Sequence, residues 1–207
     1  ETSDPTYSNI QNVIKLNTAS PTGMTKVLVS AFAKFGIDNR LVVTSDRTKR
    51  MFDKDFESYY VLTDYLLYFP TVDMYTSPEL YEYRLGLIPW EFTDNYGLFI
   101  KGISLGEMKS GVGEVKKIEP LPYSASYVDH YTKAEISEGF TKTSLNIKKA
   151  SKGYYAIYVQ PIFDLLDDDT KENIVEESLK HMFEQATMNE WSVENSGAEH
   201  IGEKEFV

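Results

Sequence analysis

Three histidines, a run of acids and a belt of tyrosines are the side chains with chemistry to offer in this 207-residue chain. His130, His181 and His200 share no i, i+4 spacing, so no two imidazoles fall on one helix face to clasp a metal. Asp129 beside His130 suggests a base with an orienting carboxylate, but neighbours on a strand point to opposite faces. The stretch Asp167-Asp-Asp-Thr-Lys-Glu172 lacks the alternating ligands and fixed glycine of a calcium loop. Acids that open a helix are favoured by its dipole, so this run reads as a helix start. No G-x-S-x-G, P-loop or dinucleotide fingerprint is present. Cysteine is absent, which removes thiol nucleophiles, disulfides and thiolate metal sites together. These residues predict neither a metal nor a cofactor.

Charge narrows the partners. With 21 Lys+Arg against 32 Asp+Glu the formal charge is −11, a field that repels phosphate backbones and anionic lipid, so no nucleic-acid partner is expected. Hydrophobic residues make up 42% and charged residues 26%, a balance that folds. No apolar run approaches the roughly 18 residues of a membrane span, so no transmembrane segment is expected. The start, Glu1-Thr-Ser-Asp-Pro5, has no basic and apolar signal regions, which implies a removed signal or a fragment.

The elements that would position these groups follow from periodicity. Ser20 can cap and Pro21 suits the first helical position; Met24, Val27, Leu28, Ala31, Phe32 and Phe35 then recur on one face before Gly36 stops the run. Leu41–Ser45 predicts a short strand and Tyr59–Phe69 a long one ended by Pro70. Asp73–Pro78 predicts strand into turn, Leu85–Trp90 an irregular apolar segment, and Tyr96–Lys101 another strand. Four glycines between Gly102 and Gly113 suggest a boundary, giving domains 1–103 and 104–207. Beyond it, 124–137 and 140–149 alternate as an antiparallel pair turning at Ser137-Glu-Gly139. A helix over 170–186 with Val175, Leu179, Met182, Phe183 and Ala186 on one face precedes a last strand near Trp191–Val193. The fold class is α+β: a helix-plus-antiparallel-sheet domain, then a β-rich domain with a C-terminal helix.

Thirteen of the chain's 28 aromatics fall within residues 56–99, including Tyr81. Aromatics build strands, and tyrosine and tryptophan also stack on sugars and peptides.

Read in order, the capped helix ending in Lys34-Phe-Gly-Ile37, then Leu41-Val-Val43, Thr63-Asp-Tyr-Leu-Leu-Tyr-Phe-Pro70, Met74-Tyr-Thr-Ser-Pro78 and Arg84-Leu-Gly-Leu-Ile-Pro89 resemble bacterial transglutaminase-like proteins. That family has a papain-like fold in which a cysteine opens the helix, a histidine sits in the next long strand and an aspartate follows on its neighbour. Aligned on Gly36-Ile37, these positions fall at Pro21, Tyr65 and Ser77, so the triad is degenerate. Proline carries no nucleophile, tyrosine is a poor base near neutral pH, and serine supplies no orienting charge. The resemblance implies a pseudo-enzyme of the cell envelope, periplasmic or surface-facing, that binds a peptide or glycan or acts as a scaffold. Its groove would be lined by Tyr60, Tyr65, Tyr75 and Trp90, and an upstream domain of the same parent chain is a further expected partner. Two alternatives stand beside it: a hydrolase with a relocated non-cysteine site built on a histidine, and a purely structural fragment of a multidomain protein.

Overall fold

The computed structural model describes residues 4–56, 59–80, 82–106 and 108–207; Tyr81 lies outside them. The fold is α+β with antiparallel sheets, and the chain forms two compact units, 1–121 and 122–207.

In the first unit a single turn over Pro5–Ser8 leads into α1 (Ile10–Leu16), capped by Asn9, whose Oδ1 accepts from the Gln11 and Asn12 N–H groups. Helix α2 (Pro21–Lys34) begins and ends as expected. Ser20 caps it, and at its end the Ile37 N–H returns to the Phe32 carbonyl and Gly36 N–H to that of Ala33, with Gly36 at φ +70°. That is the glycine-terminated helix end in which two orphan carbonyls are satisfied. The expected apolar stripe is only partly covered, since Met24 and Phe35 are exposed and the buried positions are Gly23 and Thr25. The turn at residues 5–8 presses on the start of the helix, where a Cβ on Gly23 would come within 2.0 Å of the Tyr7 carbonyl oxygen.

Five strands follow: β1 (Arg40–Thr44), β2 (Asp64–Phe69), β3 (Met74–Thr76), β4 (Asn95–Leu105) and β5 (Met108–Ile118), in the order β3-β2-β1-β4-β5. Pairing of Val42 with Leu66 and with Phe99 sets these three on one face, where Ile88 and Ile118 complete a buried cluster flanked by Tyr68, Tyr75 and Phe92. The opposite face carries Leu67 and Phe69, and α2 lays Phe32 edge-on against Phe69 at 5.0 Å. The stretch expected as one long strand from Tyr59 is instead a tight turn, Tyr59–Val61, before β2. Its Thr63 N–H then bonds the Thr44 carbonyl, which brings the chain into the sheet only at Asp64.

The expected boundary at residues 103–104 is corrected: it falls inside the β4–β5 hairpin, where Gly102 pairs with Gly111 and Ile100 with Gly113. A Cβ on Gly111 or Gly113 would meet the Ile100 or Leu98 side chain at 2.9 Å. These glycines make room for cross-strand side chains, and the division comes after Leu121, between Pro120 and Pro122.

The second unit opens with the expected hairpin, β6 (Tyr127–Ile136) and β7 (Thr143–Lys152), as a two-stranded sheet. Tight turns from Gly153 to Leu165 then bury Ala156, Ile157, Gln160 and Phe163. Helix α3 (Asp168–Met182) is capped by Asp167, which accepts from the Thr170 N–H at 2.8 Å; Asp168 and Asp169 stand in its first turn and Lys180 and His181 in its last. The acidic run therefore starts a helix, as its dipole favours. The helix stops at Met182, so Phe183 and Ala186 lie past it, and Val175, Leu179 and Met182 are only half-buried. No strand forms at Trp191–Val193. Trp191 meets the Phe163 ring edge-on instead, and the pairing falls to Glu194 with Val207 and Ser151 with Phe206.

Candidate functional site

Helix α2 opens at the position where the resemblance sets a nucleophile. Pro21 is exposed, and the hydroxyl beside it is committed: Ser20 Oγ accepts from the Gly23 N–H at 3.1 Å and lies 2.8 Å from Ser8 Oγ and 3.2 Å from the Tyr7 carbonyl oxygen. A buried hydroxyl locked as a helix cap is no attacking group.

Tyr65 is half-buried on β2, opposite Val43, on the sheet face that also carries Phe69 and receives α2. Ser77 is buried one residue past β3; within that strand it is Thr76, opposite Leu67, that shares the Tyr65 face. Beside them the Glu79 carboxyl is pushed above its ordinary value, first by loss of water and then by Asp64 at the head of β2.

The four aromatics expected to line one groove do not gather. Tyr75 pairs with Tyr68 on the face opposite Tyr65, and its ring lies 4.8 Å from Tyr68 and 6.1 Å from Phe99. Tyr75 is half-buried against the sheet's core cluster, and burial drives its hydroxyl well above the ordinary tyrosine value. Tyr60 and Trp90 stay exposed, each under an arginine: the Arg50 guanidinium sits 5.0 Å from the Tyr60 ring centre and that of Arg47 5.3 Å from Trp90. Arg50 also donates to the Tyr60 hydroxyl, and the Arg47 N–H donates to the Glu91 carbonyl at 3.0 Å. Among protein-family models, curated proteins and solved structures, none matches this chain.

Asn95 positions the two arginines. It is wholly buried, its Nδ2 donates to the Ser45 carbonyl at 2.8 Å, and its Oδ1 accepts from the Phe52 N–H at 3.1 Å and the Tyr96 N–H at 2.9 Å. One amide thus ties down both ends of the loop 46–51. Inside the loop Asp46 accepts from the Thr48 N–H and hydroxyl, which hold its carboxyl below the usual range. Sequence reasoning marked Tyr60 and Trp90 but missed Arg47, Arg50 and Asn95. The available signal was Arg47 and Arg50, three apart, just ahead of the aromatic belt.

A separate depression of about 350 Å³ lies at the other end of α2, lined by Val29, Ala33, Ile37, Arg40, Lys101 and Gly102 among others. It is remote in sequence from Pro21, and the Arg40 guanidinium at its rim is paired with Asp38.

The histidines do not assemble a site. His130 is exposed on β6, His181 is exposed at the end of α3, and His200 Nε2 stands 3.9 Å from Glu199 Oε1. Among the described residues no histidine meets both a carboxylate and a hydroxyl, and no cluster of three metal-ligating side chains occurs. No helix among them is long and apolar enough to cross a membrane.

Proposed function

We propose that the first unit is a degenerate transglutaminase-like domain that binds a peptide or glycan and does not transform it. The order of α2, β1, β2 and β3 supports this reading, with Pro21 opening α2, Tyr65 on β2 and Ser77 one residue past β3. The single observation that carries it is at the start of α2, where an exposed proline and a hydroxyl already used as a cap stand in a chain without cysteine. By the same resemblance the setting is the bacterial cell envelope, periplasmic or surface-facing. The binding surface is built on the exposed rings of Tyr60 and Trp90, each with an arginine guanidinium stacked against it.

The Trp191→Phe variant leaves Trp90 as the sole indole reporter. Titration of its fluorescence with acidic peptides and with oligosaccharides should give a saturable change for one class, weakened about tenfold or more by Arg47→Ala. The absence of saturable change in both classes overturns the binding surface. Release of ammonia from a glutamine peptide mixed with a primary amine, lost in Ser20→Ala, overturns the non-catalytic reading.

A further inference from the structure

The ribbon of the second unit has an edge that is already partly used. Strands β6 and β7 pair without a bulge from Tyr127 opposite Lys152 to Ile136 opposite Thr143. At one end Ser151 turns away from β6 and exchanges both backbone hydrogen bonds with Phe206, each at 2.8 Å. At the other end Lys142 faces inward, its carbonyl accepting from the Ser137 N–H at 2.9 Å. In an unbroken strand both bonds set the same alternation, so Thr143, Leu145, Ile147 and Lys149 direct their N–H and C=O groups outward. Among the described residues these outward groups have no backbone partner. An isolated two-stranded ribbon is marginal in water, and a row of unpaired peptide groups is a template for another strand.

We propose that this outer edge of β7 docks an extended strand of another protein in which acidic and apolar residues alternate. Two features define the occupant. Leu145 and Ile147 are half-buried on one side of the ribbon, while Lys148, exposed, and Lys152, half-buried, lie on the other, with no ion-pair partner among the described residues. A strand added beside them therefore sets every second residue on the side of Leu145 and Ile147 and the alternate ones on the side of Lys148 and Lys152. The segment already seated at the end of this edge has that pattern. By register Glu205 falls on the Lys152 side, where its carboxylate takes the Tyr127 hydroxyl, and Phe206 falls on the apolar side against the Phe163 ring at 5.5 Å. The lysines also discriminate: two copies of β7 paired about Leu145 would set Lys148 against Lys142, like charges that repel. This inference concerns the second unit alone and stands independently of the binding surface proposed for the first.

The test is amide hydrogen exchange on the full chain, with and without a ten-residue synthetic peptide alternating glutamate and valine. In the free chain the outward amides of Thr143, Leu145 and Ile147 should exchange about tenfold or more faster than the inward ones of Ser144, Asn146 and Lys148. The glutamate–valine peptide should slow the outward set by a similar factor, and a lysine–valine peptide should not. Leu145→Pro deletes one outward N–H without touching a bond to β6, so the fold should persist and binding should weaken about tenfold or more. Lys148→Glu needs no backbone change and should reverse the preference toward the lysine–valine peptide. Outward amides already protected in the dilute chain, protection that grows with chain concentration alone, or binding indifferent to both substitutions would each overturn the proposal.

Discussion

The five-stranded sheet and the two-stranded ribbon show how strand number decides what a sheet can do. In the first, β1 and β4 have neighbours on both sides, and residues such as Val42, Leu66 and Leu67 are fully buried. In the second, both strands are edges, and from Asp129 to Ile136 every residue of β6 is exposed. The sheet spends its strands on a core and leaves recognition to a loop held by Asn95. The ribbon leaves its peptide groups free, so recognition falls to the backbone itself.

That comparison can be broken or sharpened by substitution. The largest effect is expected from Leu66→Ala, which empties a fully buried position and should cost about 2–5 kcal/mol in urea unfolding, whereas Ile136→Ala on the ribbon should change stability by less than about 0.5 kcal/mol. Equal losses would erase the distinction between the two regions. Asn95→Ala leaves the Phe52 N–H and Ser45 carbonyl without their buried partner and should cost about 2 kcal/mol. The same variant should weaken any ligand read through Trp90 fluorescence, because the loop that carries Arg47 and Arg50 loses its anchor. Asp167→Ala removes the α3 cap and should cost about 1 kcal/mol, read as lost helical circular dichroism.

Two pH effects are expected to be smaller. The Thr170 N–H and hydroxyl hold the Asp167 carboxyl below its ordinary value of 3.8. Its contribution is complete above that value and is lost as pH falls through the depressed one, so α3 should fray in acid and Asp167→Asn should blunt the response. At the other extreme burial raises Tyr75 and, with a hydrogen bond to Asp73, Tyr68 above the ordinary value of 10.0. Stability from these groups is present below that value and lost as pH climbs past it, so the first unit should loosen in alkali and Tyr75→Phe should delay the loss.

Much of the fold could be read from local signals. Ser20, Pro21 and Gly36 mark the ends of α2, Ser137-Glu-Gly139 marks the ribbon turn, and Asp167 to Asp169 mark the start of α3, because caps, turns and dipoles act within a few residues. What escaped depends on partners distant in sequence. Gly111 and Gly113 look like linker residues until Ile100 and Leu98 stand opposite them. Tyr65 and Tyr75 look like one surface until the register of β2 and β3 puts them on opposite faces. The arginine stacks depend on Asn95, 50 residues downstream of the loop's first anchor, Ser45.

The proposal that the first unit is a transglutaminase-like domain without its chemistry is most directly tested by restoring part of that chemistry. The Pro21→Cys variant would be alkylated with iodoacetamide at about pH 6.5, near the histidine reference value, with Tyr65 present and with Tyr65→His added. Convergence of the two positions predicts that the added imidazole speeds alkylation about tenfold or more, since a neighbouring imidazolium stabilises the thiolate. Equal rates in the two variants would contradict it.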